Sequence, residues 1–260
     1  MPVSSFILQT IKQLRIMRNY KNNVCGSAVI CRSITEVYCV DKNYQGDVII
    51  PMGATDIVDH AFKDCGGITS VVIPNTVTRI GEEAFMGCSG IKSIVIPDSV
   101  TDMGINAFSE CSSLESMVFS KSITKVPKDA CSFCENLESV VLPDGVKKIG
   151  TFAFYECTNL KSIGIPDSVE VIGEQAFYGC KGLTSIEIPD CVKKILPNAF
   201  NGCDNITEIH LRHKKPMGKF SKSFDELDLA QITLFVPIAS EDDYRKHPFY
   251  SKFGKIVGES

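Results

Sequence analysis

The chain of 260 residues lacks several features that mark familiar functional classes. It contains no tryptophan and only four histidines. No apolar run approaches the roughly 20 residues that a membrane-spanning helix needs. The formal net charge is −4, so the overall field favours neither nucleic acid nor an anionic membrane surface. Cysteine, in contrast, is abundant, with 12 residues, and its spacing organises the rest of the sequence.

The N-terminal segment does not follow the pattern of a signal peptide. Its longest apolar run, at 6–8, is too short for a secretory core, and the basic residues follow it. Ile7, Ile11 and Leu14 recur at helical spacing, which predicts a short amphipathic helix that docks or frays. A membrane-surface anchor and a start at Met17 are the alternatives.

A period of 23 residues runs through most of the chain. Seven cysteines keep it without a slip: Cys65, Cys88, Cys111, Cys134, Cys157, Cys180 and Cys203. An alanine precedes each cysteine by four residues, and a phenylalanine follows that alanine in every repeat except one, where Cys131 stands instead. Prolines recur at the same step. A register this regular indicates a repeat architecture.

One repeat can be divided into short structural segments. Residues 93–96 alternate and are rich in β-branched side chains, which predicts a strand that Pro97 ends. Residues 100–103 predict a second, shorter extended segment. Gly104 is expected to supply a positive φ at a corner. The Ala-Phe-x-x-Cys segment at 107–111 fits one turn of α- or 3₁₀-helix with its apolar residues inward.

Such repeats cannot bury their apolar sides alone, so neighbouring repeats must stack and form columns through a shared core. Each large side chain buried in this way contributes on the order of 1.5–3 kcal/mol. We therefore predict a repeat solenoid, mainly β with short 3₁₀ or helical turns, in which the chain forms a curved right-handed coil.

The repeat pattern L-x-x-I-x-I-P-x-S-V-x-x-I-G-x-x-A-F-x-x-C resembles the BspA-like, or treponemal-type, leucine-rich repeat. The resemblance covers residues 45–211. It implies a bacterial or protist protein, often associated with the cell surface, the periplasm or secretion, that acts in adhesion or protein binding. It supplies no catalytic residues and no cofactor.

Both ends of a solenoid need a cover, because an open winding exposes its backbone and core. Residues 33–41 predict an N-terminal capping strand, and 232–237 predict a closing strand before a helix whose N-cap is Ser240. The basic residues 212–225 are interpreted as a surface loop. The predicted division is 1–24 (helical segment), 25–44 (capping strand region), 45–211 (repeats) and 212–260 (loop and cap).

The cysteines have a structural explanation. A metal ladder or disulfides are the alternatives for the periodic ones, but the 23-residue step predicts buried free thiols, which favours a reducing or anaerobic setting. Cys131 and Cys134 form a C-x-x-C motif without the second pair or the βαβ context that zinc or redox chemistry requires. The cysteines outside the period are Cys25, Cys31, Cys39 and Cys191, and a disulfide among the first three is possible.

No arrangement of residues indicates catalysis. His210 and His213 could hold a metal or an anion, with a surface loop as the competing interpretation. No serine has nucleophile-elbow glycines, and no glycine-rich loop opens a long helix. The expected protein is not an enzyme, has no metal or cofactor, and does not bind nucleic acid.

The strand residues that point outward form the candidate binding site. In the strand, positions between the two inward residues carry Val72, Val95, Val118 and Val141, followed by Gly164, Glu187 and His210. Two residues earlier, serines fill the neighbouring row, including Ser93, Ser116 and Ser139. A solvated sheet face is usually polar here, so stacked valines favour a contact site. The alternative is that valine is kept for its β-propensity.

We therefore expect a protein–protein interaction module, adhesin-like or scaffold-like, with an apolar groove on the concave sheet. Its partner would be an extended peptide, a loop or apolar surface of a host or matrix protein, or a second copy of the chain. The alternative function is a carrier that holds a small hydrophobic ligand in the same groove.

Overall fold

The computed structural model describes residues 29–31, 36–39, 42–218 and 221–260. The predicted helix before residue 25 lies outside this part of the chain, and so do the side chains that would form a disulfide among Cys25, Cys31 and Cys39. The described residues form a β-solenoid of about nine windings with a spacing of about 23 residues, which confirms the predicted fold class. In the described part of the chain, no helix has the length and apolar character to cross a bilayer.

Short strands supply most of the regular structure. In the described residues they are β1 (Val29–Cys31), β2 (Glu36–Cys39), β3 (Gly46–Ile49), β4 (Asp56–Ile57), β5 (Ile68–Val72), β6 (Arg79–Ile80), β7 (Ser93–Val95), β8 (Asp102–Met103), β9 (Ser116–Val118), β10 (Lys125–Val126), β11 (Ser139–Val141), β12 (Lys148–Ile149), β13 (Ser162–Ile163), β14 (Val171–Ile172), β15 (Ser185–Ile188), β16 (Lys194–Ile195), β17 (Glu208–Leu211), β18 (Thr233–Pro237) and β19 (Lys255–Glu259).

Each winding of the array contributes one strand to each of two sides. The longer strands pair in parallel on the strand side, in the orders β3-β5, β7-β9-β11-β13 and β15-β17-β18-β19. The two-residue strands pair in parallel on the short-strand side, in the orders β2-β4-β6-β8 and β10-β12-β14-β16. The strand pairings follow the 23-residue step, so that Ser93 lies beside Ser116 and Val95 beside Val118. Equivalent residues therefore form straight rows along the solenoid.

A third side, the turn side, connects each short strand to the next winding. The Ala-Phe-x-x-Cys segment is not a turn of helix but a series of overlapping β-turns, in which Ala61 N–H donates to Val58 O and Cys65 N–H to Phe62 O. Two residues of each series are left-handed, as His60 (φ 60°) and Asp64 (φ 61°) are in the first full winding. These turns also donate to the following winding, as Phe62 N–H does to Ala84 O at 2.7 Å. The i→i−3 hydrogen bonds of the predicted 3₁₀ turn are present, but they do not continue into a helix because the left-handed residues interrupt it.

The repeated glycine serves a different purpose from the one expected. Gly104 does not have a positive φ; the left-handed residue of that corner is Asn106 (φ 55°). A Cβ at Gly104 would lie 2.5 Å from the carbonyl carbon of Gly81 in the preceding winding, and one at Gly173 would lie 2.5 Å from the carbonyl carbon of Gly150. At Gly104 and Gly173 the preceding backbone therefore leaves no room for a side chain, whereas the equivalent positions in two other windings are Pro127 and Leu196.

A stack of phenylalanine rings forms the centre of the core. Phe62 and Phe85 stack with centroids 5.0 Å apart, and Phe154, Phe177 and Phe200 continue the stack with separations of 5.5 and 5.3 Å. These rings are completely buried. The stack gives the windings a continuous dry interior, as the repeat pattern predicts.

Two side chains in this stack were not expected from the repeat. Where Cys131 replaces a phenylalanine, Phe119 enters from the strand side, and its ring meets Phe154 edge-on at 6.4 Å. At the other end, Phe224 stacks on Phe200 at 5.3 Å. Phe224 lies in the segment 212–225, so the interpretation of that whole segment as a surface loop is wrong. The segment returns to the core because an open stack would leave Phe200 exposed.

The periodic cysteines are buried free thiols, as predicted. From the second winding onward each thiol donates to a backbone carbonyl of the preceding winding, as Cys88 Sγ does to Phe62 O at 3.0 Å and Cys180 Sγ to Phe154 O at 3.1 Å. Burial raises the pKa of the Cys157 thiol, so it stays protonated and available as a donor. Cysteine therefore combines a small apolar body with a donor that satisfies a buried carbonyl.

The N-terminal end of the described array is a hairpin on the short-strand side. Strand β2 pairs antiparallel with β1 and parallel with β4. Residues 36–39 of this hairpin fall within the segment 33–41, from which a capping strand is expected. The wider division of the chain into 1–24, 25–44, 45–211 and 212–260 stays a prediction.

The C-terminal end is more elaborate than expected. Strand β18 includes most of the predicted closing segment, but β19 pairs outside it and is the last strand. The short helix α1 (Glu241–Lys246) packs beside them. Ser240 occupies the predicted N-cap position, but its hydroxyl makes no cap hydrogen bond and instead donates to Lys214 O at 2.7 Å.

Two side chains of α1 contact the backbone of β19. Arg245 Nη2 donates to Ile256 O at 2.6 Å, and Glu241 Oε2 accepts from Gly258 N–H at 2.9 Å. The same two side chains form an ion pair across one turn of the helix. Part of the hydrogen-bonding capacity of the last strand is therefore satisfied by side chains.

Candidate interaction surface

The four valines of the candidate site form one row across β5, β7, β9 and β11, which we call the valine row. Val95 and Val141 each lie opposite Val118 in the strand pairing. Val72, which the sequence predicts in the binding site, is buried with only 7% exposure, whereas Val95 and Val118 are half-buried and Val141 is 54% exposed. Val141 is the most exposed because its next neighbour in the row, Gly164, has no side chain and nothing else within 4 Å of its Cβ position.

A row of serines runs parallel to the valine row. Ser93 and Ser139 both pair with Ser116, two residues before the valines on the same strands. Since alternate residues of a strand point to the same face, the serine row and the valine row share one surface. The row begins at Asp47, whose carboxylate accepts a hydrogen bond from Ser70 Oγ at 2.7 Å. An apolar row therefore lies beside a row of small hydroxyl side chains.

Beyond Gly164 the same surface becomes charged. Arg212 donates to Glu187 Oε1 and to Glu259 Oε1, both at 2.6 Å, and His210 Nδ1 lies 3.1 Å from Glu259 Oε1. The hydrogen bond from Arg212 lowers the pKa of Glu187, and that bond in turn raises the pKa of Arg212. The outward surface thus has an apolar part and an ion-pair network, separated by a glycine.

Three further residues belong to the outward row and were missed. Ile49 lies opposite Val72 and extends the apolar part. Phe235 lies opposite His210, their rings stacked at 4.4 Å, and Val257 lies opposite Phe235. Ile49 precedes Val72 by 23 residues and could have been found from the repeat. Phe235 and Val257 do not keep the 23-residue step, so the spacing did not indicate them.

The other candidate residues do not gather into a chemical site. His213 is buried with Nε2 2.7 Å from Val192 O, whereas His210 faces the ion-pair network. Cys134 donates to Phe108 O, and Cys131 Sγ lies 3.3 Å from Met117 Sδ. Within the described ranges, no three side chains of histidine, cysteine, aspartate or glutamate come together as a metal site.

Two cavities lie near the C-terminal end and away from the valine row. One, of about 310 Å³, is lined by residues that include Phe224, Leu229 and Phe249. The other, of about 350 Å³, is lined by residues that include Cys203 and Gln231. The second is also lined by the carboxylates of Asp204, Glu226 and Asp228, but the Cys203 thiol is buried and donates to Phe177 O at 3.0 Å. The outward rows of the strand side therefore remain the candidate surface.

Comparison with solved structures places the fold among bacterial leucine-rich repeat proteins. A leucine-rich repeat protein from Eubacterium ventriosum ATCC 27560 is 26% identical, with a TM-score of 0.60 over 69% of this chain and 50% of that one. A leucine-rich repeat protein from Bacteroides ovatus ATCC 8483 is 24% identical, with a TM-score of 0.60 over 81% of this chain and 62% of that one. The chain therefore spans between half and about three fifths of these two proteins.

Sequence comparisons give the family. No curated protein matches the sequence. The family model described as "BspA type Leucine rich repeat region (6 copies)" matches residues 33–143 and 124–240, which together make up most of the chain. This agrees with the 23-residue windings, the phenylalanine stack and the cysteine column described above. The chain therefore belongs to the family of proteins with BspA-type leucine-rich repeats.

Proposed function

We propose that the protein is a non-enzymatic interaction module, adhesin-like or scaffold-like, that binds a protein partner through the valine row. The observation that carries the proposal is the registered set of Val95, Val118 and Val141, all at least partly exposed, on a sheet face where solvated strands usually carry polar residues. Such a row offers a partner one apolar contact per winding, about 4.8 Å apart.

The serine row supports a partner with an extended backbone. Ser93, Ser116 and Ser139 place hydroxyl groups at the same spacing beside the valines. A peptide or loop running along the solenoid axis could bury its side chains on the valines and form hydrogen bonds with the serines. An apolar patch rimmed by polar groups is typical of protein contact sites.

The charged end of the surface supports a single orientation of the bound partner along the solenoid. The network of Arg212, Glu187 and Glu259 ends the apolar row on one side, and Gly164 leaves open space between the two parts. A partner would therefore meet apolar residues along one half of the face and charges along the other. Complementary charge would fix its register rather than supply most of its affinity.

The double variant Val95→Glu/Val141→Glu tests the proposal. Two carboxylates in the valine row should remove binding of a partner or of a second copy, because their charges would have to be desolvated. The measurements are a pull-down with the purified chain and size-exclusion chromatography with light scattering. The control Thr101→Glu/Thr124→Glu adds the same charge to exposed positions next to the short strands, away from the valine row and the serine row.

Circular dichroism and urea unfolding should show both variants folded. Partner binding and association state that do not differ between the two double variants would contradict the proposal. Native mass spectrometry of the purified chain addresses the carrier alternative. A small apolar molecule retained by the native chain and lost from the valine-row variant would favour a carrier over a protein-binding module.

A further inference from the structure

The turn side carries an aromatic cluster that the fold does not require. Tyr155 is its centre: it meets Phe133 edge-on at 5.3 Å, Phe152 edge-on at 5.5 Å, and stacks on Tyr178 at 5.0 Å. None of the four residues is buried, and Phe133 is 45% exposed. We call these four residues the aromatic patch. It lies outside the buried phenylalanine stack and on a different side of the solenoid from the valine row.

Two members of the patch occupy backbone positions that disfavour them. Phe133 has φ 59° and Phe152 has φ 56°, both in the left-handed region. The other left-handed residues of the turn side are glycine, asparagine, aspartate, glutamate, glutamine or histidine. A left-handed conformation costs a residue with a Cβ roughly 1–2 kcal/mol, and asparagine tolerates it better than phenylalanine. Stability of the winding therefore does not explain two partly exposed phenylalanines there.

Carboxylates flank the most exposed ring. Glu110 and Glu156 occupy the positions equivalent to Phe133, one winding before it and one winding after it. In the described part of the chain, no lysine or arginine lies within ion-pair distance of either carboxylate. The Glu156 carboxylate lies over Gly179, next to Tyr178, and acts electrostatically on the Tyr155 hydroxyl. The row therefore places an aromatic residue between two glutamate residues.

The patch already holds one cation of the chain itself. Lys128 Nζ lies 5.9 Å from the centroid of Phe152, within the range of a cation–π contact. That ammonium also pairs with Asp129 at 3.6 Å. This surface therefore already uses a ring face with a carboxylate beside it to hold a cation. Around Phe133 the combination recurs without an ion pair, although Lys63 acts electrostatically on Glu110 from a greater distance.

We propose that the aromatic patch is a second recognition surface, which binds arginine side chains of a basic segment in a protein partner. A guanidinium group stacks on an aromatic face and donates to carboxylates in the same plane, so it fits a ring flanked by Glu110 and Glu156. Glu110 and Glu156 lie one winding before and one winding after Phe133, so an extended basic segment can place a cation on either side of the ring.

Fluorescence anisotropy with a labelled arginine–glycine repeat peptide tests the proposal, and a citrulline–glycine peptide of equal length is the reference. Citrulline keeps the planar shape of arginine but has no charge. The native chain should bind the arginine peptide, and Phe133→Asn/Phe152→Asn should weaken that binding at least about tenfold. Asparagine already occupies a left-handed position of this kind at 106, so urea unfolding should show unchanged or greater stability.

A specific effect of the aromatic patch on peptide binding must be distinguished from the attraction of a basic peptide to any acidic surface, because the chain has a net negative charge. The variant Glu110→Gln/Glu156→Gln should weaken the arginine peptide clearly more than Glu115→Gln/Glu138→Gln, which removes the same charge from the strand side. Equal weakening would overturn the proposal, as would equal binding of the citrulline peptide.

Two further outcomes complete the test. Loss of stability in Phe133→Asn/Phe152→Asn would assign the rings to the fold and would also overturn the proposal. The valine-row variant Val95→Glu/Val141→Glu should leave binding of the arginine peptide intact, so failure of this inference and failure of the proposed function can be told apart.

Discussion

The interior of the solenoid and its outer surface follow different rules. Inside, each winding repeats the same residue types, so that Phe154, Phe177 and Phe200 stack and each thiol meets a carbonyl of the winding before it. Outside, equivalent positions change from valine through Gly164 to Glu187. The difference shows that stacking requires the same residue type in successive windings only at positions where the windings contact each other. The stability of the solenoid therefore does not explain surface positions that are apolar in several windings or that have a strained backbone, and function is the remaining explanation.

The one irregular winding supports this conclusion. Cys131 leaves a gap in the phenylalanine stack, and Phe119 fills it from the opposite side of the core. Both substitutions occur in the same winding, and the interior stays close-packed. No such compensation is needed at Gly164, where nothing lies within 4 Å of the Cβ position.

The sharpest test of the difference is Phe177→Ala. The ring is completely buried between Phe154 and Phe200, so its removal should lower the free energy of unfolding by about 3–5 kcal/mol. Urea unfolding followed by circular dichroism measures the change. Val141→Ala in the outward row, where the side chain is 54% exposed, should change stability by less than about 1 kcal/mol. Similar losses in the two variants would mean that interior and surface are not energetically distinct.

A matched pair of glycine variants gives a smaller effect. Gly104→Ala places a methyl group 2.5 Å from the carbonyl carbon of Gly81, so windings must separate, at a cost of about 1–3 kcal/mol. Gly164→Ala meets no atom and should be neutral or slightly stabilising. Thermal unfolding of both variants measures the difference. Equal melting temperatures would show that close approach of the windings is not the reason for the repeated glycine.

The smallest expected effect is at the charged end of the outward surface. The hydrogen bond from Arg212 holds the pKa of Glu187 below its ordinary value near 4.5. A lowered folded pKa contributes stability that is present above the unfolded value and is lost as pH falls through the folded pKa. Arg212→Gln should therefore raise the pKa of Glu187 and reduce the loss of stability on acidification. Both side chains are more than a third exposed, so the change in stability should stay below about 1 kcal/mol.

NMR titration of the Glu187 carboxyl carbon measures this shift. Lys193→Gln, which removes the ion pair with Glu170 on the short-strand side, should leave the pKa of Glu187 unchanged. An unchanged Glu187 pKa in Arg212→Gln would show that the ion pair is not formed in solution.

The repeat made the solenoid, the register of its strands and the buried cysteines predictable from the sequence. Val95 and Val118 are neighbours because the period is constant, and strand pairing follows from the period. The turn side was not predictable in the same way. The hydrogen bonds that shape it connect different windings, and a helix and a chain of β-turns can bury the same Ala, Phe and Cys positions.

The end of the array and the aromatic patch were missed for related reasons. Phe224 and Phe235 join the columns after insertions that interrupt the period, so no spacing indicates them. Phe133 and Phe152 do lie on the period. Their significance depends on the sign of φ and on exposure, which the sequence pattern does not show. The sequence therefore located the candidate surface only where its residue types recur at the 23-residue step, as they do in the valine row.

The contacts of Glu241 and Arg245 with β19 have a consequence for how molecules of this protein meet one another. A solenoid could in principle lengthen without limit, because each winding is a template for the next. At Ile256 and Gly258 the groups that a further winding would use are already bonded to side chains. A second molecule would have to break these contacts before its strands could pair with β19. The helix α1 therefore opposes end-to-end association of molecules into fibres.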